Sequence, residues 1–319
     1  MKRLFSAALL FTFAIALNLA AQAQEEGPVP TQLLVNVDAK STPPANASVL
    51  TVSVNDHKEP LTSWEPVLPN KSQVVLLIDS GLRVSVGREI DNLRAFVRGL
   101  PPGVEVMVGF MQYGHVTSDQ PLTTDHELAA STLHLPEGVA GMSASPYICL
   151  SDFVKHWPDS GGSSSASNLA APSQPKARFI IMITDGVDPY NGSTSVMNQD
   201  SPYVSAAVTD AQRAGVAVYA IYFSDAGLRG GSADNSGQNY LSQITQGTGG
   251  ISYWEGVGNP VSMAPFLHQF QGAIAETYIA TFIAPTGKNP QRDLVHVKFT
   301  SATKTKLRAS EQVRPGNQE

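Results

Sequence analysis

Two short acidic loops, each at the end of a hydrophobic run, constrain this chain more than any other feature. The first run, residues 74–83, reads VVLLIDSGLR, and the second, residues 177–188, reads ARFIIMITDGVD. Both are rich in Val and Ile and too short to span a membrane, which is typical of strands buried on both faces of a parallel sheet. Ligands of such sheets bind outside the carboxyl ends of the strands. Asp79 and Asp185 stand at those ends, so they indicate a cation site or the remnant of one.

Strand and helix patterns alternate between residues 74 and 276. The pattern predicts strands at 74–78, 104–112, 179–184, 216–223 and 251–254, and helices at 86–100, 125–133, 145–156, 203–214, 240–248 and 263–276. Residues 115–121 predict an antiparallel edge strand, and the Ser- and Gly-rich segments 159–176 and 226–239 predict surface loops. This order is typical of an α/β fold, namely a Rossmann-like, doubly wound, mostly parallel sheet flanked by helices.

The segments on either side of this region predict a small accessory β module. Residues 48–54 alternate between apolar and polar, and residues 60–67 can return as a second strand after a turn, which predicts a hairpin or a partial second sheet. Further strands are predicted at 277–284, 294–299 and 306–309. Because chain ends commonly lie near one another, we expect the N-terminal and C-terminal strands to pair.

The first residues carry the features of a secretory signal. Lys2 and Arg3 supply the charged start, residues 4–19 are mostly apolar, and Ala21-Gln22-Ala23 is a small-x-small cleavage site. A membrane anchor is the alternative, but the apolar stretch is at the short end for spanning a bilayer. We therefore expect cleavage after Ala23, no membrane span in the mature chain, and an exported protein in the periplasm or outside the cell.

Charge and cysteine content exclude some classes of function. The formal charge is −6, and cleavage would remove two positive charges and no negative ones, which gives −8. An acidic exported protein without a basic patch is a poor candidate for binding nucleic acid. Cys149 is the only cysteine, so the chain has no intramolecular disulfide, and its apolar surroundings in sequence predict a buried thiol, with a reactive or intermolecular role as the alternative.

Seven stretches occur in an order that resembles a known family. They are VVLLIDSGLR, GVEVMVGFMQYG, GMSASPYICLSDFV, FIIMITDGVDPY, DAQRAGVAVYAIYF, LSQITQGTGGISYW and TYIATFIAP. Together they make residues 74–285 similar to von Willebrand factor type A (VWA) domains, in the secreted branch common in acidobacteria. With this resemblance the chain divides into a signal peptide at 1–23, an N-terminal β segment at 24–71, a VWA-like domain at 72–276, and C-terminal β strands and a tail at 277–319.

VWA domains hold Mg²⁺ or Mn²⁺ in a metal-ion-dependent adhesion site, and the resemblance implies such a site here. Hard cations prefer oxygen ligands. The first-loop Asp of the family matches Asp79, the second-loop Thr matches Ser143, and the third-loop Asp matches Asp185. The two first-loop Ser positions hold Gly81 and Arg83, neither of which offers a side-chain oxygen. Three other oxygen-bearing side chains close in sequence are candidate substitutes: Ser80, Ser85 and Asp188.

This departure from the family pattern leaves three arrangements open. In the first, a weakly bound ion is held by Asp79, Asp185 and Ser143 together with waters. In the second, the Arg83 guanidinium replaces the charge of the ion, since it can pair bidentately with either carboxylate. In the third, Arg83 faces solvent and both Asp side chains accept hydrogen bonds from the loop backbone. The expected cofactor is therefore Mg²⁺ or Mn²⁺, or none.

The resemblance implies an exported, non-enzymatic protein-binding module for adhesion or assembly, with an unknown protein as partner. Arg83, Tyr147 and Tyr190 are the candidate partner-binding residues, and Trp157 and Tyr203 are expected near the same loop face. The alternative for the four aromatic residues is that they pack beneath the loops. The alternative is a structural scaffold of the cell envelope with a non-functional cleft. A hydrolase is the third class considered, but neither G-x-S-x-G nor H-E-x-x-H occurs in the sequence.

Overall fold

The structure is a computed structural model of the chain. It describes residues 27–38, 47–82, 85–137, 145–158, 176–191, 200–224, 231–256, 259–290, 292–303 and 305–317. The predicted signal peptide at 1–23 and most of the Ser- and Gly-rich segment 159–176 lie outside these residues.

The described residues form fourteen strands and six α-helices. The strands are β1 (Val29–Val37), β2 (Leu50–Val54), β3 (His57–Glu59), β4 (Leu61–Pro66), β5 (Ser72–Asp79), β6 (Glu105–Gln112), β7 (His115–Thr117), β8 (Ala177–Thr184), β9 (Val216–Tyr222), β10 (Ser252–Tyr253), β11 (Thr277–Ala284), β12 (Val295–Ser301), β13 (Leu307–Ala309) and β14 (Gln312–Val313). The helices are α1 (Ile90–Arg98), α2 (His126–Ser131), α3 (Pro146–Lys155), α4 (Pro202–Arg213), α5 (Gly231–Gly247) and α6 (Ala264–Ala275). In the part of the chain described, no helix combines the length and the apolar character needed to cross a bilayer.

The central sheet contains six strands in the order β10-β9-β8-β5-β6-β7. β7 runs antiparallel to β6, and all other neighbouring strands are parallel. Every residue of β5 and of β9 is buried, as continuous runs of apolar residues predict for inner strands. The prediction of an α/β fold with a mostly parallel sheet and an antiparallel edge strand is confirmed at this level.

Helices pack on both faces of the central sheet. Because side chains alternate along a strand, Leu76 of β5 faces one core and Leu77 faces the other. The first core includes α1, α2 and α6, through Leu93, Ala129 and Phe270. The second includes α3, α4 and α5, through Leu150, Ala207 and Leu241. The parallel strands β5, β6, β8 and β9 finish at the same end of the sheet, which we call the carboxyl edge.

Two antiparallel sheets of four strands join the two ends of the described chain. One has the order β13-β1-β11-β4 and the other the order β14-β12-β2-β3. Leu33, Phe282 and Val297 lie in the apolar core that the two sheets share. Leu34 and Ile279, on the opposite face of the first sheet, pack against a core of the central sheet. N-terminal strands therefore pair with C-terminal ones, while the domain boundaries at residues 71 and 276 stay predictions.

Several details of the sequence prediction are wrong. The predicted hairpin of 48–54 with 60–67 does not form, because β2 pairs with β3 while β4 pairs with β11 in the other sheet. Pro60 separates β3 from β4. Because proline has no N–H to donate to a neighbouring strand, it is tolerated where the chain passes from one sheet to the other. β1 is not among the predicted strands. The segment 226–239, predicted as a loop, contains the first half of α5 from Gly231 onward.

Cys149 lies on α3 and is buried, as the sequence predicts for a structural thiol. Burial raises the pKa of this thiol to about 12, although a backbone hydrogen bond from Gly114 acts in the opposite direction. The neutral thiol is a weak nucleophile, so Cys149 contributes to packing on α3 rather than to chemistry at the surface.

Candidate functional site

Asp79 ends β5 with both carboxylate oxygens engaged by protein donors. Its side chain is buried, and Oδ1 accepts a hydrogen bond of 2.8 Å from the backbone N–H of Gly81. Oδ2 accepts a bond of 2.7 Å from the hydroxyl of Thr184, the last residue of β8. The contact follows from the sheet register, since Ile78 lies opposite Ile183 one residue earlier. Asp79 therefore ties the ends of two neighbouring strands together.

The loop after β8 is held by short-range hydrogen bonds and by close packing. Asp185 Oδ1 accepts a bond of 2.9 Å from the Val187 N–H, and the Gly186 N–H donates to the Thr184 hydroxyl at 3.1 Å. Gly186 has a φ of +66°, in the left-handed region that favours glycine. A Cβ at Gly186 would lie 2.6 Å from the carbonyl oxygen of Gly237 on α5. Glycines on both segments therefore permit the backbones to approach closely.

This approach involves the helical part of the Gly- and Ser-rich sequence, residues 231–239 of α5. Its residues have poor intrinsic helix propensity, and composition alone indicates a loop. A Cβ at Gly237 would collide with the carbonyl oxygen of Asp185, so only glycine allows α5 to lie against the Asp185 loop. Tertiary packing decides the structure here, and the sequence signal is a glycine needed for close approach.

Asp188 is the fully buried carboxylate of the site. Its Oδ1 accepts a hydrogen bond of 3.1 Å from the Tyr190 N–H, and its Oδ2 accepts one of 2.6 Å from the Ser201 hydroxyl. Ser201 in turn caps α4, because its oxygen accepts from the N–H groups of Tyr203 at 3.1 Å and Val204 at 3.4 Å. Asp188 thus holds both ends of the segment 190–201 against the carboxyl edge.

Tyr190 and Tyr203 form an exposed aromatic pair above this carboxylate. Their ring centroids are 6.3 Å apart and the ring planes meet at 61°, an edge-to-face arrangement. Tyr190 is 61% exposed and Tyr203 is 38% exposed. Since Asp188 and Ser201 bond to the backbone N–H groups of these same two residues, the pair is held in position by a buried hydrogen-bond network.

Tyr147 lies beneath the site and not on its surface. The side chain is fully buried, which corrects the prediction that Tyr147 is available to a partner, and its hydroxyl donates to the Gly186 carbonyl oxygen at 2.8 Å. Burial raises the pKa of Tyr147 well above its ordinary value, and the Asp185 and Asp188 carboxylates add to the shift. Pro146 begins α3 and Ser145 caps it, which places Tyr147 in the first turn of the helix.

We expect Tyr147→Phe to lower the free energy of unfolding by about 1–2 kcal/mol near neutral pH, because the Gly186 carbonyl loses its buried donor. Above the ordinary tyrosine pKa of 10.0, the unfolded state loses this proton while the folded state keeps it. The stability that Tyr147 contributes is therefore lost as pH rises above that value. Urea unfolding of the wild-type protein and the variant, at one pH below and one above this value, should show a smaller loss of stability with rising pH in Tyr147→Phe than in wild type. Equal losses would contradict the assignment.

Two further aromatic side chains differ from expectation. Trp157 is buried at the opposite end of the sheet, where its Nε1 donates to Gln73 near the start of β5 at 2.8 Å, so its predicted place near the loop face is wrong. Tyr113 is missed by the sequence analysis, although it is 63% exposed in the turn between β6 and β7 at the carboxyl edge. The signal was available, since Tyr113-Gly114 follows a buried strand as a turn does.

The first loop lacks the two hydroxyls that the adhesion family places there, since the sequence has Gly81 and Arg83 at those positions. Asp79 accepts from two protein donors, Asp185 accepts from the backbone, and Gly81 has no side-chain oxygen. Ser80 is buried. Within the described ranges no group of three acidic, His or Cys side chains is arranged to hold a metal ion. Three predicted participants lie outside what the structure describes: Arg83, Ser143 and the side chain of Ser85.

No protein-family model and no curated protein matches the sequence. Among solved structures, the chain is similar to proximal thread matrix protein 1 from the mussel byssus, with 14% identity, a TM-score of 0.41, and coverage of 66% of this chain and 48% of that one. The pilus adhesin SpaC from Lactobacillus rhamnosus GG shows 10% identity and a TM-score of 0.40, covering 87% and 46%. The VWA domain of SpRpn10 shows 12% identity and a TM-score of 0.33, covering 63% and 93%. The chain thus spans less than half the length of the first two proteins, and its weak structural neighbours include a VWA domain.

Proposed function

We propose that this chain is an exported, non-enzymatic protein-binding module of VWA type for adhesion or assembly. In this proposal its Rossmann-like, doubly wound sheet presents the loops of the carboxyl edge to a protein partner. The observation that supports it best is the exposed Tyr190–Tyr203 pair, fixed to a buried carboxylate.

An exposed, fixed tyrosine pair suits protein recognition. Tyrosine supplies a large apolar area with a polar tip and is enriched at the centres of protein interfaces. Asp188 and Ser201 fix the backbone of both residues before a partner arrives. Less conformational entropy is then lost on binding, so a larger share of the contact energy becomes affinity.

The hydrogen bonds of the site also favour binding over catalysis. The hydroxyls of Thr184 and Ser201 each donate to a buried carboxylate, at 2.7 Å and 2.6 Å, respectively. An activated nucleophile must also be within reach of a substrate, whereas Thr184 and Ser201 are both buried. These hydroxyls connect loops to strands, and in the proposal the carboxylates of Asp79 and Asp188 are structural anchors that need no metal ion.

A peptide-display selection tests this proposal without a known partner. The immobilised full chain is presented with a phage-displayed library of random peptides in EDTA, and the enriched peptides are measured on variants. Binding should fall by about tenfold or more in Tyr190→Ala/Tyr203→Ala, since two central aromatic contacts are removed. Leu128→Ala is the matched control, because Leu128 is also exposed, at 47%, but lies on α2, near the start of β6.

Three outcomes would contradict the proposal. They are no enrichment over an unrelated acidic protein, equal binding to the double-tyrosine variant, and enrichment only when the selection is repeated with Mg²⁺ in place of EDTA. The first two would favour the scaffold alternative, and the third would restore the metal-dependent site.

A further inference from the structure

One side of β1 is only partly covered by strands. β11 pairs with β1 from Val29 to Asn36, whereas β13 on the other side pairs only from Val35 to Val37. Residues 29–34 of β1 therefore have no strand partner on that side within the described pairings. An uncovered strand edge is a template for pairing with another chain.

The Asn317 side chain occupies this edge in the way that a neighbouring strand would. Its Oδ1 accepts from the Gln32 backbone N–H at 2.9 Å, and its Nδ2 donates to the Gln32 carbonyl oxygen at 2.8 Å. A carboxamide offers the same donor and acceptor as a peptide group. The two bonds reproduce the pair that facing residues exchange in an antiparallel ladder.

Neighbouring residues complete the cover. The Gly316 N–H donates to the Thr31 hydroxyl at 3.1 Å, and the φ of +68° at Gly316 is the left-handed conformation that glycine adopts readily. Pro30 lies two residues before Gln32 on the same side of the strand and has no N–H to offer. Positions 30, 32 and 36 on this edge are thus closed in three different ways: by a proline, by the Asn317 amide and by pairing with Arg308 of β13.

We propose that Gly316–Asn317 is an edge cap that keeps β1 from pairing with β1 of a second copy of this chain. The strand that this cap excludes is β1 of a second copy, because the backbone edge at Gln32 is self-complementary. Two antiparallel β1 strands related by a two-fold axis through Gln32 would exchange the same N–H and C=O bonds that Asn317 now makes. This inference does not depend on the proposed function, since the cap lies on the accessory sheet.

The test compares Asn317→Ala with a variant that loses an equivalent pair of hydrogen bonds at another position. Asn259 makes an equivalent pair of bonds, from its Oδ1 to the Ser224 N–H and from its Nδ2 to the Ser224 carbonyl oxygen, but Ser224 lies beyond the end of β9. Sedimentation velocity over a concentration series should show a new self-associated species for Asn317→Ala. Asn259→Ala should sediment like the wild-type protein.

Adding Gln32→Pro to Asn317→Ala removes the N–H through which the second copy would pair, so the wild-type sedimentation should return. Circular dichroism of each variant checks that the fold persists. If Asn317→Ala is folded and sediments like wild type, the cap has only a local structural role and the proposal fails. Self-association that persists in the double variant, or that Asn259→Ala shows equally, would also overturn it.

Discussion

Gly237→Ala should destabilise the protein by about 3 kcal/mol and displace the Asp185 loop. A Cβ at this position would overlap the carbonyl oxygen of Asp185, which is backbone and cannot swing away as a flexible side chain could. α5 or the loop must therefore move, and both are packed against the core through Leu241 and Tyr147. Forcing extra atoms into a closely packed contact usually costs 1–3 kcal/mol. Denaturant unfolding measures the loss in stability.

Gly272→Ala is the matched control for this substitution. Gly272 is also helical, on α6, but an added Cβ there meets nothing within 4 Å. Alanine should then stabilise the helix by up to about 1 kcal/mol, because glycine has the greater backbone freedom in the unfolded chain. If both variants changed stability by the same amount, the close contact between α5 and the Asp185 loop would be disproved.

Asp188→Ala should also cost about 3 kcal/mol and release the tyrosine pair. The substitution removes a buried acceptor and leaves the Ser201 hydroxyl and the Tyr190 N–H without their partner. Unlike Gly237→Ala, it should also accelerate amide hydrogen exchange at Tyr190 and weaken the capping of α4 by Ser201. Denaturant unfolding and hydrogen exchange measure the two effects.

Asp91→Ala is a control at an exposed carboxylate. Its side chain is 94% exposed and pairs with Arg94 at 3.2 Å on the surface of α1, so its loss should change stability by less than about 0.5 kcal/mol. A similarly small effect for Asp188→Ala, with unchanged exchange at Tyr190, would show that the carboxylate does not fix the aromatic pair.

The sequence predicts the central sheet well because its inner strands are buried on both faces. Continuous apolar runs such as β5 and β9 have few alternatives, and the polar residue at the end of each run marks the edge of the sheet. Asp79 lies where this pattern predicts, at the end of β5. The accessory strands were harder to pair, since partner choice between β2, β3 and β4 depends on contacts far apart in sequence.

The site itself was predicted only in outline. The sequence makes Asp188 a candidate metal ligand but does not reveal its bonds to the Tyr190 N–H and to the Ser201 hydroxyl, the second of which spans thirteen residues. Tyr147 is buried whereas Tyr190 is exposed, and the sequence pattern does not distinguish the two side chains. The family resemblance drew attention to metal ligands, whereas the observed bonds of Asp79 and Asp185 come from the protein itself.

The claim that this site works without a metal ion is tested most directly by isothermal titration. The EDTA-treated protein is titrated with Mg²⁺ and then with Mn²⁺, in parallel with Asp185→Ala. We predict no saturable binding that distinguishes the two proteins, because Asp79 is already bonded to Gly81 and Thr184 and the first loop has Gly81 where the family has a hydroxyl. Saturable binding with a stoichiometry near one, lost in Asp185→Ala, would contradict this account and establish the carboxyl edge as a working cation site.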